Sequence, residues 1–197
     1  MPSLKKYHHG NLEQRAVLYT VDYLKKGQIT ELSLRKIAAD IGVSHTALYR
    51  HFASKDALFQ KVAERGFLLL ADRQLKAGLK GRDPYEGFIL AGVQYVLFFR
   101  RYPGFYRVMF SQREKPASRE LLEAQQKSFS VVVRMAGRYL KFKQKNDSPL
   151  RIATSAWSLA HGYTGISIET EMTKIISTRY KENITENFKR LLLTVFV

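Results

Sequence analysis

The clearest pattern of hydrophobic and polar positions lies between Leu32 and Lys55. Hydrophobic residues recur there at i, i+3, i+4 and i+7, one face of a helix, at Leu34, Ile37, Ala38 and Ile41. Gly42 follows, where a helix end favours a residue that tolerates a left-handed backbone. A second helix, capped by Ser44, is expected to bury Leu48 and Phe52. The pattern predicts two short helices and a tight turn, which is the layout of a helix-turn-helix.

Helical spacing continues through the rest of the chain, and no strand-like alternation persists for more than a few residues. Capping residues mark the helix starts, and the pair Asp83 and Glu86 around Pro84 is typical of a capping box. The long helix from about 117 to 143 is expected to turn inward Leu121, Leu122, Gln125, Phe129, Val132, Val133, Ala136 and Leu140. The fold class predicted is all-α, with about nine helices.

The chain carries a formal net charge of +16, with a sequence pI near 10.1. Residues 1–55 account for +5 of it and the remainder for +11, including the basic run Arg134, Arg138, Lys141, Lys143 and Lys145. This balance favours a polyanionic partner, either nucleic acid or an acidic membrane surface, although a lysine-rich solvated surface would look the same. No run of about 18 apolar residues exists, so we expect no membrane span and a cytoplasmic protein.

Enzyme and metal motifs are absent from the sequence. It has no glycine-rich phosphate loop, no G-x-S-x-G elbow and no H-E-x-x-H pair. There is no cysteine, which excludes disulfides, cysteine-ligated zinc and thiol catalysis. His8 and His9 are adjacent, and neighbours in sequence do not easily serve one tetrahedral site. We expect no enzymatic activity, no metal and no cofactor.

Two segments resemble the DNA-binding domain of the TetR family of bacterial transcriptional regulators. They are YHHGNLEQRAV before the first helix and LSLRKIAADIGVSHTALYRHFASKDALF after it. Farther on, AWSLAHGYTG is similar to a subgroup with a Trp-x-x-x-His-Gly motif, here Trp157, His161 and Gly162. The resemblance implies a homodimer that places one helix per protomer in successive major grooves of a palindromic operator.

By position, the resemblance implies phosphate contacts from Tyr49, His51 and Lys55 and base reading by the three residues at the start of the third helix. The full predicted DNA-binding set is Ser33, Arg35, Ser44, His45, Thr46, Ala47, Tyr49, Arg50, His51 and Lys55. Amides at helix starts attract phosphate, and hydroxyl and imidazole groups can bond base edges. Packing roles for Tyr49 and His51 and simple solvent exposure of Arg50 remain open alternatives.

The helices after residue 83 are rich in aromatic residues. The resemblance to the TetR family implies that these helices enclose a pocket for an inducer. The predicted pocket residues are Tyr95, Phe99, Phe105, Met109, Phe129, Trp157 and His161. For any single one of these residues, ordinary core is the better reading, and Trp157 with His161 could equally be a satisfied buried pair. The last two helices are expected to form the dimer interface through the small residues Ala153, Ala156, Ala160, Gly162 and Gly165.

These observations predict three parts: a helix-turn-helix DNA-binding domain at 1–55, a connecting helix and linker at 56–82, and a ligand-binding and dimerisation domain at 83–197. The function they favour is a sequence-specific repressor released from operator DNA by a small-molecule inducer. The alternative is a nonspecific or architectural DNA-binding protein, for which the charge alone would suffice. The same charge would also suit a peripheral membrane protein, but membrane binding would not explain why the chain has a helix-turn-helix.

Overall fold

The computed structural model describes residues 12–24, 32–111, 116–168, 170–179 and 183–196. The helices are α1 (Leu12–Leu24), α2 (Leu34–Asp40), α3 (His45–His51), α4 (Lys55–Gly78), α5 (Pro84–Arg101), α6 (Pro103–Phe110), α7 (Arg119–Phe142), α8 (Pro149–Ile168), α9 (Thr170–Lys174) and α10 (Ile184–Val195). A π-helical segment, Ile175–Arg179, follows α9. If α9 is counted with α8, these ranges hold nine helices and no strand, which confirms the all-α prediction. The N-terminal arm, Asn11 and Gly27 lie outside the described residues.

Side-chain caps begin the helices where the sequence predicts them. Ser33, Ser44 and Ser54 each accept a hydrogen bond of 3.1 Å from the amide three residues on. Asp83 does the same for the amide of Glu86 at 2.8 Å. The Glu86 carboxylate accepts from the amide of Arg82, one residue before the cap, so the expected capping box is displaced by one residue.

The two longest helices, α4 and α7, run parallel. Near the starts of the two helices, the side-chain oxygen of Gln60 accepts a hydrogen bond of 2.7 Å from the backbone amide of Ser118. Near their ends Gly78 lies against the side chain of Met135, which a Cβ at Gly78 would overlap. Packing along this length places the middle of α4 beside the middle of α7.

Helix α5 is central to the C-terminal part, because it packs against α4, α6, α7, α8 and α10. Its buried side chains include Phe88, Tyr95, Phe98 and Phe99. The N-terminal helices are joined to this core through α1, which contacts both α4 and α6.

Two predicted faces are corrected by the packing. Leu122 was expected to point inward but is 53% exposed, because the buried face of α7 follows Leu121, Ala124, Ser128, Val131 and Met135. The small residues Ala153, Ala156 and Ala160 were expected at a dimer interface. They are at most 6% exposed within the protomer, where α8 packs on α5 and α7.

Within the described residues, no helix has an apolar stretch long enough to cross a bilayer.

Candidate DNA-binding face and cavity

The turn between α2 and α3 is set by Gly42, which has a φ of +70°. The amide of Gly42 donates to the Ala39 carbonyl at 3.1 Å, and the amide of Val43 donates to the Ala38 carbonyl at 2.9 Å. This pair of bonds closes α2 in the manner of a Schellman motif. A Cβ at Gly42 would meet nothing within 4 Å, so backbone conformation rather than space accounts for the glycine.

Helix α1 braces the same turn. The Arg15 guanidinium donates to the Ile41 carbonyl at 2.6 Å, and the Tyr19 hydroxyl donates to the Asp40 carboxylate. Burial, together with the Asp40 bond, raises the pKa of Tyr19 to about 12. The bond from Tyr19, aided by Lys36, holds the pKa of Asp40 below its ordinary value. These contacts hold α2 and the turn against α1.

Helix α3 has one buried and one exposed side. Leu48 and Phe52 are no more than 2% exposed. The predicted DNA-reading residues project from the rest of the helix: His45, Thr46, Tyr49, Arg50 and His51 are exposed and Ala47 is half-buried. The ring centroids of His45 and Tyr49 lie 4.4 Å apart, so the two side chains pack against each other on this surface. The exposed side therefore offers imidazole, hydroxyl and methyl groups of the kind that read base edges.

The remaining predicted DNA-binding residues flank α3 at helix starts. Ser33, Arg35 and Ser44 are exposed. Both serine hydroxyl oxygens accept a hydrogen bond from a helix amide, so each hydroxyl hydrogen is still able to donate. Lys55 is the first residue of α4, and its ammonium lies 5.2 Å from the centre of the Phe59 ring. The start of α4 thus carries a cation at a helix N-terminus, a combination that suits a phosphate.

A cavity of about 360 Å³ lies in the C-terminal part, among α4, α5, α7 and α8. Three of the predicted pocket residues line it, Tyr95, Phe129 and Trp157. The Phe129 and Trp157 rings meet edge to face with centroids 6.0 Å apart. The other lining residues are Phe67, Leu70, Gln74, Phe88, Gly92, Phe110, Gln125, Ser128, Val132, Ala156, Ala160 and Leu192.

Three other predicted pocket residues lie in the core beside the cavity. Phe105 and Met109 pack on Gly66 of α4 so closely that a Cβ there would lie 2.7 Å and 2.6 Å from them. Phe99 is fully buried among aromatic rings, with the Phe98 centroid 4.9 Å away. These side chains join α5 and α6 to the core and do not reach the cavity wall.

His161 lies behind the wall in a hydrogen-bonded chain. The Trp157 indole N–H donates to the Tyr95 hydroxyl at 3.3 Å, and that hydroxyl is 2.9 Å from Nδ1 of His161. Nε2 of His161 is 3.1 Å from the Tyr106 hydroxyl, which is 3.3 Å from the His161 carbonyl. One assignment satisfies every donor: Tyr95 donates to Nδ1, Nε2–H donates to Tyr106, and Tyr106 donates to the carbonyl.

This assignment requires a neutral imidazole, since a proton on Nδ1 would displace the Tyr95 donor. Burial lowers the pKa of His161, which favours the same neutral form. The chain therefore connects α5, α6 and α8 without a buried charge.

The lining residues that the sequence analysis missed carried usable signals. Gln74 and Ser128 are polar yet 3% and 5% exposed, and both lie on buried helix faces made mainly of apolar residues. Gly92 lies inside α5, where a Cβ would be 2.7 Å from Leu192 of α10. A polar residue on a mainly apolar helix face and a glycine inside a helix both call for a structural reason, and the cavity and the contact with α10 supply it here. In the described ranges, no three His, Asp or Glu side chains group closely enough to hold a metal ion.

Solved structures share this architecture along nearly the whole chain. A protein with unknown function from Rhodococcus sp. RHA1 is 25% identical, with a TM-score of 0.81 over 98% of this chain and 97% of that one. A possible TetR family transcriptional regulator from Streptomyces coelicolor A3(2) is 16% identical, with a TM-score of 0.64 over 93% and 96%. The second likeness concerns the fold alone.

A curated relative is the nucleoid occlusion factor SlmA of Vibrio vulnificus, 24% identical over 163 residues, which are 81% of each chain. Residues 25–62 match the family described as bacterial regulatory proteins, tetR family. Residues 88–192, more than half of the chain, match the tetracyclin repressor-like C-terminal domain. With both its helix-turn-helix and its C-terminal helices matched, the chain belongs to the TetR family of DNA-binding transcriptional regulators.

Proposed function

We propose that this regulator binds a palindromic operator as a homodimer and is released from it by a ligand in the cavity. The observation that carries the proposal is the joint presence of an exposed, braced α3 and a mainly apolar cavity connected by α6. Residues 1–55 would bind DNA, residues 56–82 would connect, and residues 83–197 would bind the ligand and the second protomer.

In this proposal the start of α3 reads the bases. His45 and Thr46 bond base edges, and Thr46 with Ala47 packs on thymine methyl groups. The flanking groups hold the phosphates and set the register, as Arg, Lys and hydroxyl groups commonly do. They are Ser33, Arg35, Ser44, Tyr49, Arg50, His51 and Lys55.

The proposed dimer contact is the exposed side of α8, opposite its buried alanines. Ser155, Ser158, Gly162 and Ile166 follow one another along that side and are exposed in the protomer. Gly162 lies inside the helix, where glycine costs about 1 kcal/mol relative to alanine, and a Cβ there would meet nothing within 4 Å. Close approach of α8 from a second protomer would explain this glycine, since no contact within the protomer requires it.

Gly162→Ala tests that contact. The substitution should stabilise a protomer by up to about 1 kcal/mol through helix preference. It should raise the dimer dissociation constant, measured by sedimentation, since the new methyl would separate the two helices. Gly137→Ala on α7, whose Cβ would lie an ordinary 3.6 Å from Pro149, is the matched control. An unchanged dimer constant for Gly162→Ala would remove this residue from the interface.

Helix α6 is the proposed route from cavity to DNA. Its Tyr106 bonds His161, which bonds Tyr95 in the cavity wall. Its start, at Gly104, lies against the backbone of Leu24 at the end of α1. A ligand that moves Tyr95 therefore moves an element in contact with the DNA-binding helices. Coupling of about 1–3 kcal/mol would change operator affinity about 5–150-fold.

We also propose that the Trp-x-x-x-His-Gly motif has two roles in this chain. Trp157 and His161 begin and continue the hydrogen-bonded chain behind the cavity, since residues i and i+4 share a helix face. Gly162 turns to the other side of α8, toward the proposed second protomer.

Selection of bound duplexes from a random pool tests the DNA half. A palindromic consensus with half-sites about one helical turn apart, roughly 34–36 Å, is expected of a dimeric reader. Lys55→Ala should weaken binding to all sequences alike and reduce the salt slope by about 1, whereas His45→Ala should alter sequence preference. Lys76→Ala, at the far end of α4 and paired with Asp72, is the control that should leave binding unchanged.

The nonspecific alternative is favoured by one observation, the basic run on α7. Arg134, Arg138 and Lys141 are exposed, and the Lys143 ammonium lies 4.4 Å from the centre of the Tyr85 ring. If selection yields no consensus and the affinity depends steeply on salt for any duplex, this alternative replaces the proposal.

A further inference from the structure

The cavity wall contains no charged side chain. All fifteen lining residues are neutral, although the chain carries a net charge of +16. An ionised ligand would lose its hydration on entering and find no opposite charge among these residues. A cation would in addition face the net positive charge of the whole protein.

Five side chains supply the polar groups of the wall. Tyr95 and Trp157, on α5 and α8, use their polar groups in the chain to His161. Gln125 and Ser128 are three residues apart on α7 and so share a face. Gln74 belongs to α4, which runs parallel to α7 and places it about one turn beyond Ser128.

These three side chains have hydrogen-bonding capacity to spare. The Gln74 amide donates to the Ala91 carbonyl at 3.2 Å, and no group in the described part of the chain donates to its carbonyl oxygen. Gln125 and Ser128 have no side-chain hydrogen-bond partner among the described residues. In the same ranges only the Thr164 hydroxyl is both unpartnered and fully enclosed, so the polar atoms of Gln125 and Ser128 are open to the cavity that they line. Gln74 and Ser128 are nevertheless 3% and 5% exposed. Polar atoms that face a cavity and have no protein partner are suited to bonding a polar group of a ligand.

The other ten lining residues are apolar, and four of them are phenylalanines. Phe67 and Phe110 meet edge to face with centroids 5.7 Å apart, and Phe129 meets Trp157 in the same way. Such walls bind hydrocarbon or ring systems and offer them no hydrogen bond.

We propose that the cavity binds an uncharged, mainly apolar ligand whose one polar group, a hydroxyl, carbonyl or amide, bonds within the set formed by Gln74, Gln125 and Ser128. This rests on the proposed function of the cavity as the inducer site, and it specifies the chemical class of the inducer. Carboxylates and ammonium compounds of the same shape are rejected, because the wall holds no group to replace their hydration.

Three probes of one shape test the inference: 1-adamantanemethanol, 1-adamantanecarboxylate and 1-adamantanemethylammonium. At pH 7 the first is neutral, the second anionic and the third cationic. Trp157 is the only tryptophan in the chain and lies in the wall, so its fluorescence reports occupancy of the cavity in the full-length protein. Calorimetry gives the affinity independently. The alcohol should bind at least about tenfold more tightly than either ion.

Equal or tighter binding of the carboxylate or the ammonium compound would overturn the inference. Failure of all three to bind at millimolar concentration would overturn it as well, since the cavity would then not accept even a compact apolar body with a hydroxyl.

Substitutions test the assigned hydrogen-bond partners of the ligand. Gln125→Leu and Ser128→Ala should each weaken binding of the alcohol several-fold and leave binding of adamantane itself unchanged or stronger. Ser158→Ala, on the exposed side of α8, is the control. Unfolding curves of each variant show that it is folded. Unchanged affinity for the alcohol in both cavity variants would overturn the assignment of its partners.

Operator binding separates this inference from the release mechanism. Selective binding of the alcohol without any change in operator affinity supports the ligand class and contradicts the release mechanism. A change in operator affinity caused only by one of the ions supports release and overturns the ligand class.

Discussion

The contact between Gly104 at the start of α6 and Leu24 at the end of α1 can be tested by adding a single methyl group. A Cβ at Gly104 would lie 2.5 Å from the Leu24 Cβ and closer still to the Leu24 carbonyl oxygen. Leu24 is 1% exposed and Gly104 is buried, so neither side has free space to absorb the methyl. Gly104→Ala therefore forces α6 away from α1.

The geometry sets the size of the effect. Moving the Cβ from 2.5 Å to 3.4 Å, the short end of ordinary van der Waals contact, requires a shift of about 1 Å between two backbones. Overpacking of this kind costs about 1–3 kcal/mol. Alanine returns at most about 1 kcal/mol in helix preference, and less in the first turn of a helix. We expect a net loss of about 1–2 kcal/mol, which for a chain of this size lowers Tm by roughly 2–8 °C.

Urea unfolding at fixed protomer concentration measures the loss, and a gel shift on the selected operator measures its effect on DNA binding. Because α1 braces the turn before α3, operator affinity should fall together with stability. Gly137→Ala, which adds the same methyl at an ordinary 3.6 Å contact, should leave stability unchanged or raise it. If Gly104→Ala is as stable as the unaltered protein and binds DNA equally well, α6 does not press on α1 as described.

Three further outcomes follow from the caps and the titrating groups. Ser44→Ala and Ser118→Ala each remove one cap bond and should each cost about 1 kcal/mol in urea unfolding, but only Ser44→Ala should weaken operator binding. The pKa of Asp40 is lowered in the fold, so its contribution to stability is present above its unfolded pKa and is lost as pH falls; Tyr19→Phe should flatten that part of an acid unfolding profile. The pKa of His161 is lowered below 6.5, so the folded state loses stability as pH falls through and below that value, and a His161→Gln variant should lack this dependence in melts between about pH 7 and 5. A profile that is identical with and without His161 would contradict a neutral, buried imidazole.

Much of the fold was predictable because its signals are local. A cap needs only a serine or aspartate and an amide three residues on, and such bonds occur at Ser33, Ser44, Ser54 and Asp83 as expected. The turn at Gly42 likewise depends on one residue's backbone conformation. The exposed side of α3 followed from the same reasoning, since Leu48 and Phe52 leave only one side for the polar residues.

The cavity was less predictable, because its walls depend on how whole helices are rotated against one another. Tyr95, Phe129 and Trp157 line it, whereas Phe105 and Met109, equally apolar in sequence, pack on Gly66 instead.

By itself, then, the amino-acid sequence determined where the helices capped by Ser33, Ser44, Ser54 and Asp83 begin, that the second and third helices form a helix-turn-helix, and which side of α3 is exposed. These features arise from bonds and spacings within about four residues. Only the tertiary structure decided that Leu122 points outward, that Ala153 is buried in the protomer, and that His161 joins Tyr95 to Tyr106. Those relations join residues as many as 66 positions apart, and the crossing of the helices that sets them is a property of the assembled core.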